Sequence, residues 1–242
     1  MTAPPGPAAQ AAPNRLVRNV IIASILGALV FAALSAYGDV DALRTRLGEF
    51  QVGAFLIALA LVTGNIALRF GRWELYLRYL GLRVSVLESV LVFLSGFVMS
   101  VTPAKLGEVL KSVLLWESHR VPIERSAPIV LAERFTDLIA LLLIMAVGAT
   151  RFSFGLPLAL GGFLLCGFIL TVCLWERLGV ALLGTIGRVP RLRGLAARLQ
   201  AAYAALRSLC LPGPLLAATA LALLGWSLEV VAAVQIVQGF GA

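Results

Sequence analysis

The sequence APIVLAERFTDLIALLL, residues 127–143, places Glu133, Arg134 and Asp137 inside an otherwise apolar run. A charged side chain at the bilayer centre costs about 2.5–3.5 kcal/mol, so three that faced lipid would cost roughly 7–10 kcal/mol. Glu133 and Asp137 share one helical face, and Arg134 is placed to pair with Asp137. We therefore expect a membrane helix whose charged face lines a substrate or ion cavity. The alternative is a buried ion pair that joins helices, or a charged helix end near the headgroups.

The composition indicates an integral membrane protein with several helices. Hydrophobic residues make up 60% of the 242 residues and charged residues 13%, against about 45–50% and about 25% in soluble domains. The mean hydropathy is +0.97. The net charge of +8 comes from basic clusters between apolar runs, which favours cytoplasmic loops and argues against nucleic-acid binding. One histidine and three cysteines cannot form a recognisable zinc site, and we expect neither metal nor cofactor.

Uncharged runs mark the expected membrane helices. Residues 1–14, rich in proline and alanine, are expected to form a disordered tail, and residues 15–242 one transmembrane domain. The run Val20–Gly38 is interpreted as an uncleaved first helix, because a signal peptide has a shorter apolar region of about 7–15 residues. The further runs are Val52–Leu68, Ser89–Ala104, Leu138–Thr150, Phe152–Trp175 and Ser208–Leu228.

The run that begins at Ser89 is broken at Pro103, since proline removes a backbone donor. Two arrangements of Leu91–Trp116 give different charge distributions. If the segment enters and leaves the membrane on one side, fourteen arginines are cytoplasmic and three lie outside. If its first half spans the membrane, seven basic residues are cytoplasmic and twelve lie outside. The positive-inside rule therefore predicts a re-entrant hairpin of half-helices, or two short crossings, and a cytoplasmic N-terminus. Such a break must line a cavity or be buried in protein, and transporters often place substrate sites there.

The second half-helix carries Lys105, Glu108 and Lys111 at successive spacings of three. Its N-terminus after Pro103 presents free N–H groups and the positive end of the helix dipole. Together these features suit an anionic lipid phosphate. A plain amphipathic interfacial helix would show the same spacing, so that interpretation stays open.

Other charged residues are expected to have structural roles. Arg69, Arg72 and Glu74 are interpreted as snorkelling anchors at the end of the second run, and Glu229 as a partner across the bundle. The basic segment RVPRLRGLAARLQAAYAALRSL, residues 188–209, is expected to be either an interfacial helix on the anionic cytoplasmic leaflet or an ordinary cytoplasmic loop.

Two strings, TPAKLGEVLKSVLLW and APIVLAERFTDLIALLL, resemble the transmembrane flippase-like domain of the lysylphosphatidylglycerol synthase family. The family pattern is a proline, a basic residue, Gly-Glu and another basic residue, and then Glu-Arg-x-x-Asp. The matching residues here are Pro103, Lys105, Gly107, Glu108, Lys111, Glu133, Arg134 and Asp137. The resemblance implies a polytopic, all-α membrane domain with re-entrant half-helices that moves or holds phospholipid or polyprenyl-type lipid headgroups.

The leading functional hypothesis is therefore a lipid translocase of the plasma membrane, with a polar path for the headgroup. Three basic residues are assigned to the phosphate, and three acidic residues to those cations or to a cationic headgroup. The basic residues are Lys105, Lys111 and Arg134, and the acidic ones are Glu108, Glu133 and Asp137. No Walker-type phosphate loop occurs in the sequence, which argues against direct ATP hydrolysis.

Other functions stay open. No aminoacyl-transferase domain follows, so we expect no lysyl transfer, and the end at GFGA suggests a shortened family member. The chain is alternatively a non-catalytic membrane subunit that scaffolds a lipid-modifying enzyme. Its expected protein partners are such an enzyme or further copies of the chain itself. A polyprenyl-phosphate-sugar-dependent glycosyltransferase is a weaker alternative, based on Asp39 and Asp41 as metal ligands or base.

Overall fold

The chain folds into helices in a computed structural model that describes residues 29, 48, 50–98, 106–148, 155–177, 181 and 192–241. These ranges contain seven helices of thirteen residues or more and no strand. The helices are α1 (Val52–Tyr79), α2 (Val86–Val98), α3 (Leu106–His119), α4 (Ile123–Gly148), α5 (Gly155–Leu174), α6 (Arg193–Leu209) and α7 (Pro212–Gly239). The predicted all-α membrane bundle is thereby confirmed.

Three helices are long and apolar enough to cross a membrane, within Val52–Tyr79, Pro157–Leu174 and Pro212–Gly239. The two of 28 residues are about 42 Å long, which exceeds the hydrocarbon thickness of about 30 Å. Both extend well past the last residue of the predicted uncharged run. The predicted tail and the predicted first helix lie outside the described residues, apart from Leu29.

Helices α1 and α7 pack antiparallel along their whole length. At one end the backbone N–H of Gln51 donates to the carbonyl of Gly239 at 3.0 Å. Near the middle, Gly225 lies so close to Asn65 that a methyl group in its place would stand 2.6 Å from the Asn65 Oδ1 atom. Glycine is therefore required there for the two helices to approach each other closely.

Helices α2 and α3 pack against each other as a hairpin. They have 13 and 14 described residues, or about 20 Å each, against a hydrocarbon thickness of about 30 Å. The His119 ring lies 3.1 Å from the Glu88 carboxylate. The first turn of α2 therefore lies beside the last turn of α3. Hydrogen bonds from Ser85 and His119 lower the pKa of the Glu88 carboxyl. The break at Pro103 lies outside the described residues.

The base of this hairpin belongs to a basic end of the bundle. There the Arg125 guanidinium donates to the Leu80 carbonyl at 3.1 Å, and Arg207 pairs with Glu176 at 2.9 Å. Residues 193–209 form helix α6, which agrees with the helical alternative predicted for this segment. The described arginines of this end are Arg78, Arg83, Arg120, Arg125, Arg177, Arg193, Arg198 and Arg207.

A continuous apolar core fixes the helices beneath the cavity described below. Trp73 and Tyr76 of α1 are fully buried, as are Leu115 of α3 and Ile129 of α4, and Leu209 of α6 is almost so. Since six helices contribute buried residues to this core, their charged residues are held in a defined register. The core therefore positions the site.

Replacing Gly225 by alanine should loosen the α1–α7 contact. The added methyl group must displace Asn65, and overpacking of this kind costs about 1–3 kcal/mol. We expect a lower thermal unfolding midpoint in detergent. Gly71→Ala is the matched control, because a methyl group there meets nothing within 4 Å. Equal midpoints for the two variants would contradict the close packing at Gly225.

Candidate functional site

Helix α4 presents two carboxylates that are each neutralised by a cation from another helix. Glu133 Oε2 lies 2.9 Å from Lys111 Nζ of α3, and Asp137 Oδ1 lies 2.6 Å from Arg72 Nη1 of α1. Both acids are buried, at 8% and 6% exposure. Because a buried charge without a partner costs several kcal/mol, the two ion pairs are what allows these acids to be buried on α4.

Asp137 connects three helices. Besides Arg72 of α1, it accepts a hydrogen bond from Trp226 Nε1 of α7 at 3.2 Å. Arg134, one turn earlier on α4, lies 3.8 Å from its second oxygen, as the sequence predicted. Arg72 also donates to the Thr136 hydroxyl at 3.2 Å. One carboxylate thus fixes the relative positions of α1, α4 and α7.

Lys111 is held between a carboxylate and two aromatic faces. Its Nζ atom lies 4.5 Å from the centre of the Trp73 ring and 5.6 Å from that of Phe93. A cation over an aromatic face is stabilised by the ring quadrupole, most strongly where water is excluded. The buried Lys111 ammonium is therefore fixed near the middle of α3, against Glu133.

A cavity of about 220 Å³ opens among these groups. Its lining includes four cationic and two anionic side chains, so the described lining carries a formal charge of +2. The lining residues are Arg69, Arg72, Phe93, Gly96, Phe97, Lys111, Glu133, Arg134, Asp137 and Trp226. They come from the hairpin, α1, α4 and α7, and the cavity is a site suited to an anion.

Arg72 has one buried donor without a partner. The residue is only 3% exposed, and its Nε atom has no hydrogen-bond partner among the described residues. A buried donor left unpaired costs about 1–3 kcal/mol, and more when it is charged. The Nε atom of Arg207, outside the cavity, is buried and unpaired in the same way, so the cationic lining, and not this donor, makes the cavity suited to an anion.

The structure brings together four of the six predicted site residues. Lys111, Glu133, Arg134 and Asp137 line the cavity. Lys105 and the side chain of Glu108 lie outside the described part of the chain. Among the described residues no group of three or more histidines, cysteines and acids is arranged to hold a metal ion.

The interpretation of Arg72 as a snorkelling anchor is wrong. Its guanidinium points into the bundle and binds Asp137, because α1 continues as a helix to Tyr79 and Arg72 lies well inside it. Arg69 is partly exposed, but it also lines the cavity and lies 3.8 Å from Glu229. The predicted pairing of Glu229 across the bundle is confirmed by this contact.

Sequence reasoning missed Arg69, Arg72 and Trp226 as parts of the site. Arg69, Arg72 and Tyr76 follow a helical spacing of three and four that places them on one face of α1. Two acids in an apolar run also require cations from other helices to neutralise them. These two signals together point to the arginines of α1, whereas no pattern in the sequence selects Trp226.

The fold and the cavity define a helical membrane protein with a charged internal site beside a hairpin of half-helices. Residues 20–242 match the family described as the lysylphosphatidylglycerol synthase transmembrane region, and the chain belongs to that family. The resemblance of its two sequence motifs is thereby confirmed. No curated protein and no solved structure matches the chain.

Lys111→Met should destabilise the protein by about 3–5 kcal/mol, because Glu133 would be left buried without its cation. The double variant Lys111→Met/Glu133→Gln removes both charges and should recover most of this loss. Unfolding in detergent micelles measures both. Arg207→Met, which breaks the more exposed pair with Glu176, should change the free energy of unfolding by less than about 1 kcal/mol. An additive double variant would show that Lys111 and Glu133 do not interact.

Proposed function

We propose that the chain is a lipid translocase that passes the phosphate-bearing headgroup of a membrane lipid through the charged cavity. The lipid is a phospholipid or a polyprenyl-linked lipid, and its tails stay in the bilayer. The observation that carries the proposal is a cavity lined by four cationic and two anionic side chains, beside the helical hairpin of α2 and α3. The chain's membership of a transmembrane family named after a lipid synthase supports it.

The position of the cavity supports transport more than surface binding. Arg72 is twenty residues from the start of the 28-residue helix α1, and it lies about 10 Å from the far end at about 1.5 Å per residue. Arg69 lies about one turn deeper. The cations therefore form a series that extends from the basic end towards the middle of the membrane, as a path for a polar headgroup requires.

The size of the cavity supports a headgroup as the ligand. Pockets for drug-sized molecules measure about 300–1,000 Å³, whereas this cavity measures about 220 Å³. It accommodates a phosphate with a small substituent and excludes two acyl chains. Only the polar part of a lipid would therefore enter it.

The roles that we propose follow from the contacts. Arg72, Arg134 and Lys111 bind the phosphate oxygens, since charge-assisted hydrogen bonds to an anion are the strongest available here. Glu133 and Asp137 hold these cations in place while the cavity is empty. Lys105 and Glu108 are proposed to extend the site along α3 towards the break.

We further propose that the protein lies in the plasma membrane with its basic end and its N-terminus on the cytoplasmic side. The described arginines outside the cavity gather at that end, as the positive-inside rule requires. If Arg69 and Arg72 are left out of the count of arginines on each side of the membrane, the cytoplasmic side still has the larger number. Helix α6, with Arg193 and Arg198 exposed, would then lie at the anionic leaflet.

Two alternatives remain predictions from the sequence. Asp39 and Asp41, the basis of the glycosyltransferase alternative, lie outside the described residues. A role as a scaffold for a lipid-modifying enzyme, or as a homo-oligomer, would be shown by co-purification of that partner or by the mass of the purified complex.

Arg134→Gln should slow headgroup translocation by about tenfold or more, because a hydrogen bond to a charged group contributes about 1.5–3 kcal/mol. Liposomes containing the purified protein and a fluorescent phosphatidylglycerol report the rate as the fraction of label that a membrane-impermeant reductant reaches. Arg134 is partly exposed, so the variant is expected to fold.

Arg198→Gln on α6 is the matched control, since it removes an exposed arginine outside the cavity. It should leave the rate unchanged. A wild-type rate no faster than that of protein-free liposomes would contradict the proposed function. Equal rates for wild type and Arg134→Gln would contradict the role of Arg134.

A further inference from the structure

Glu229 is an acidic residue near the middle of a membrane-spanning helix. On α7 it lies about 15 Å from the Gly239 end and about 26 Å from the Pro212 end, at about 1.5 Å per residue. It does not line the cavity. An ionisable residue at such a depth is expensive and is commonly retained for ion or proton movement.

Two groups of α1 hold the Glu229 carboxylate. Asn65 Nδ2 donates to its Oε2 atom at 2.9 Å, and Arg69 Nη2 lies 3.8 Å from the same atom. Asn65 is buried and in contact with Gly225, so its position is fixed. The contact between Arg69 and Glu229 is the longer of the two, so breaking it requires less free energy than breaking the hydrogen bond from Asn65.

Arg69 joins Glu229 to the cavity. Its guanidinium lines the cavity and lies over the ring of Trp226, 5.6 Å from the ring centre. Trp226 in turn donates to Asp137. A single cation is thus shared between an intramembrane acid on one side and the anion site on the other.

We propose that Glu229 is a proton-binding site whose protonation is linked to anion binding through Arg69. This inference rests on the proposed function. While the cavity is empty, Arg69 is paired with the ionised Glu229. When a headgroup phosphate enters, it competes for Arg69, and the carboxylate keeps only the hydrogen bond from Asn65. It then takes up one proton from the aqueous phase and becomes a neutral carboxylic acid.

The other acids near the cavity are less suited to this role. Glu133 and Asp137 are bound directly to their cations at 2.9 and 2.6 Å, against 3.8 Å for Glu229 and Arg69. Among the described helices, α1 contributes the cation nearest to Glu229, which is Arg69. On α4, Asp137 is bound to Trp226, and Arg134 lies beside Asp137. Protonation of Glu229 therefore acts on the anion site through Arg69.

The linkage gives the protein a means to use a proton gradient. A proton bound at Glu229 stabilises the anion-loaded state, and its release returns Arg69 to the carboxylate and weakens anion binding. Reciprocity requires that each ligand raise the affinity for the other by the same factor. A difference in pH across the membrane would then favour loading on the acidic side and release on the alkaline side.

The test measures binding of short-chain phosphatidylglycerol to the purified full chain in phosphatidylcholine nanodiscs by calorimetry. Its phosphodiester keeps one negative charge between pH 5 and 8, so changes in affinity belong to the protein. We expect Kd to fall by up to about tenfold for each unit of decreasing pH, as linkage to a single proton requires. Buffers with different protonation enthalpies should show uptake of about one proton per bound lipid.

Glu229→Gln keeps an oxygen acceptor for Asn65 and removes the titratable group. This variant should bind the lipid with a pH-independent Kd and without proton uptake. Glu176→Gln, which removes the acid of the Arg207 pair far from the cavity, should retain the wild-type pH dependence. These results together would establish the linkage.

Two outcomes separate this inference from the proposed function. Wild-type binding without proton uptake, or unchanged proton uptake in Glu229→Gln, overturns the inference and leaves the anion site intact. Absence of binding by the wild type at every pH overturns the proposed function and this inference with it.

Discussion

The ion pair between Arg72 and Asp137 is the interaction on which the rest of the bundle depends. Neither group is tolerable alone in hydrocarbon, where an unpaired charge costs several kcal/mol, so α1 and α4 must lie side by side at this level. Asp137 also accepts a hydrogen bond from Trp226, which adds α7. A second pair, Lys111 with Glu133, attaches the hairpin to the same face of α4. Two carboxylates one turn apart therefore organise four elements around one cavity.

The same pairs explain why the site is polar without being neutral. Glu133 and Asp137 each take up one cation, and Arg69 lies 3.8 Å from Glu229, which is outside the lining. The lining itself therefore has four cationic and two anionic side chains around a cavity of about 220 Å³. The close α1–α7 contact at Gly225 brings Asn65, Arg69 and Glu229 together next to it.

The sequence predicts part of this site because the cost of a charge in a membrane is a local rule. Glu133, Arg134 and Asp137 lie within one apolar run, so their inward orientation follows from helical spacing and hydrophobicity alone. Lys111 follows from the amphipathic pattern after Pro103. Arg72 was assigned to the interface because the uncharged run ends at Leu68, although the helix continues to Tyr79. Whether an arginine snorkels or pairs inside depends on a partner on another helix, and the pattern of one segment does not contain that information.

By itself the sequence determined the membrane as solvent, the helical class, the half-helix hairpin and the acidic face of α4, since hydropathy, proline and helical periodicity act over one segment. Tertiary structure alone decided which cation neutralises which acid, that Trp226 joins Asp137, and that Arg69 lies between Glu229 and the cavity. These contacts join residues far apart in the chain, such as Asn65 and Glu229, separated by 164 positions. They exist because close packing at one glycine and a core of aromatic and aliphatic side chains set the register between helices, and registers between helices are fixed only when the whole bundle has formed.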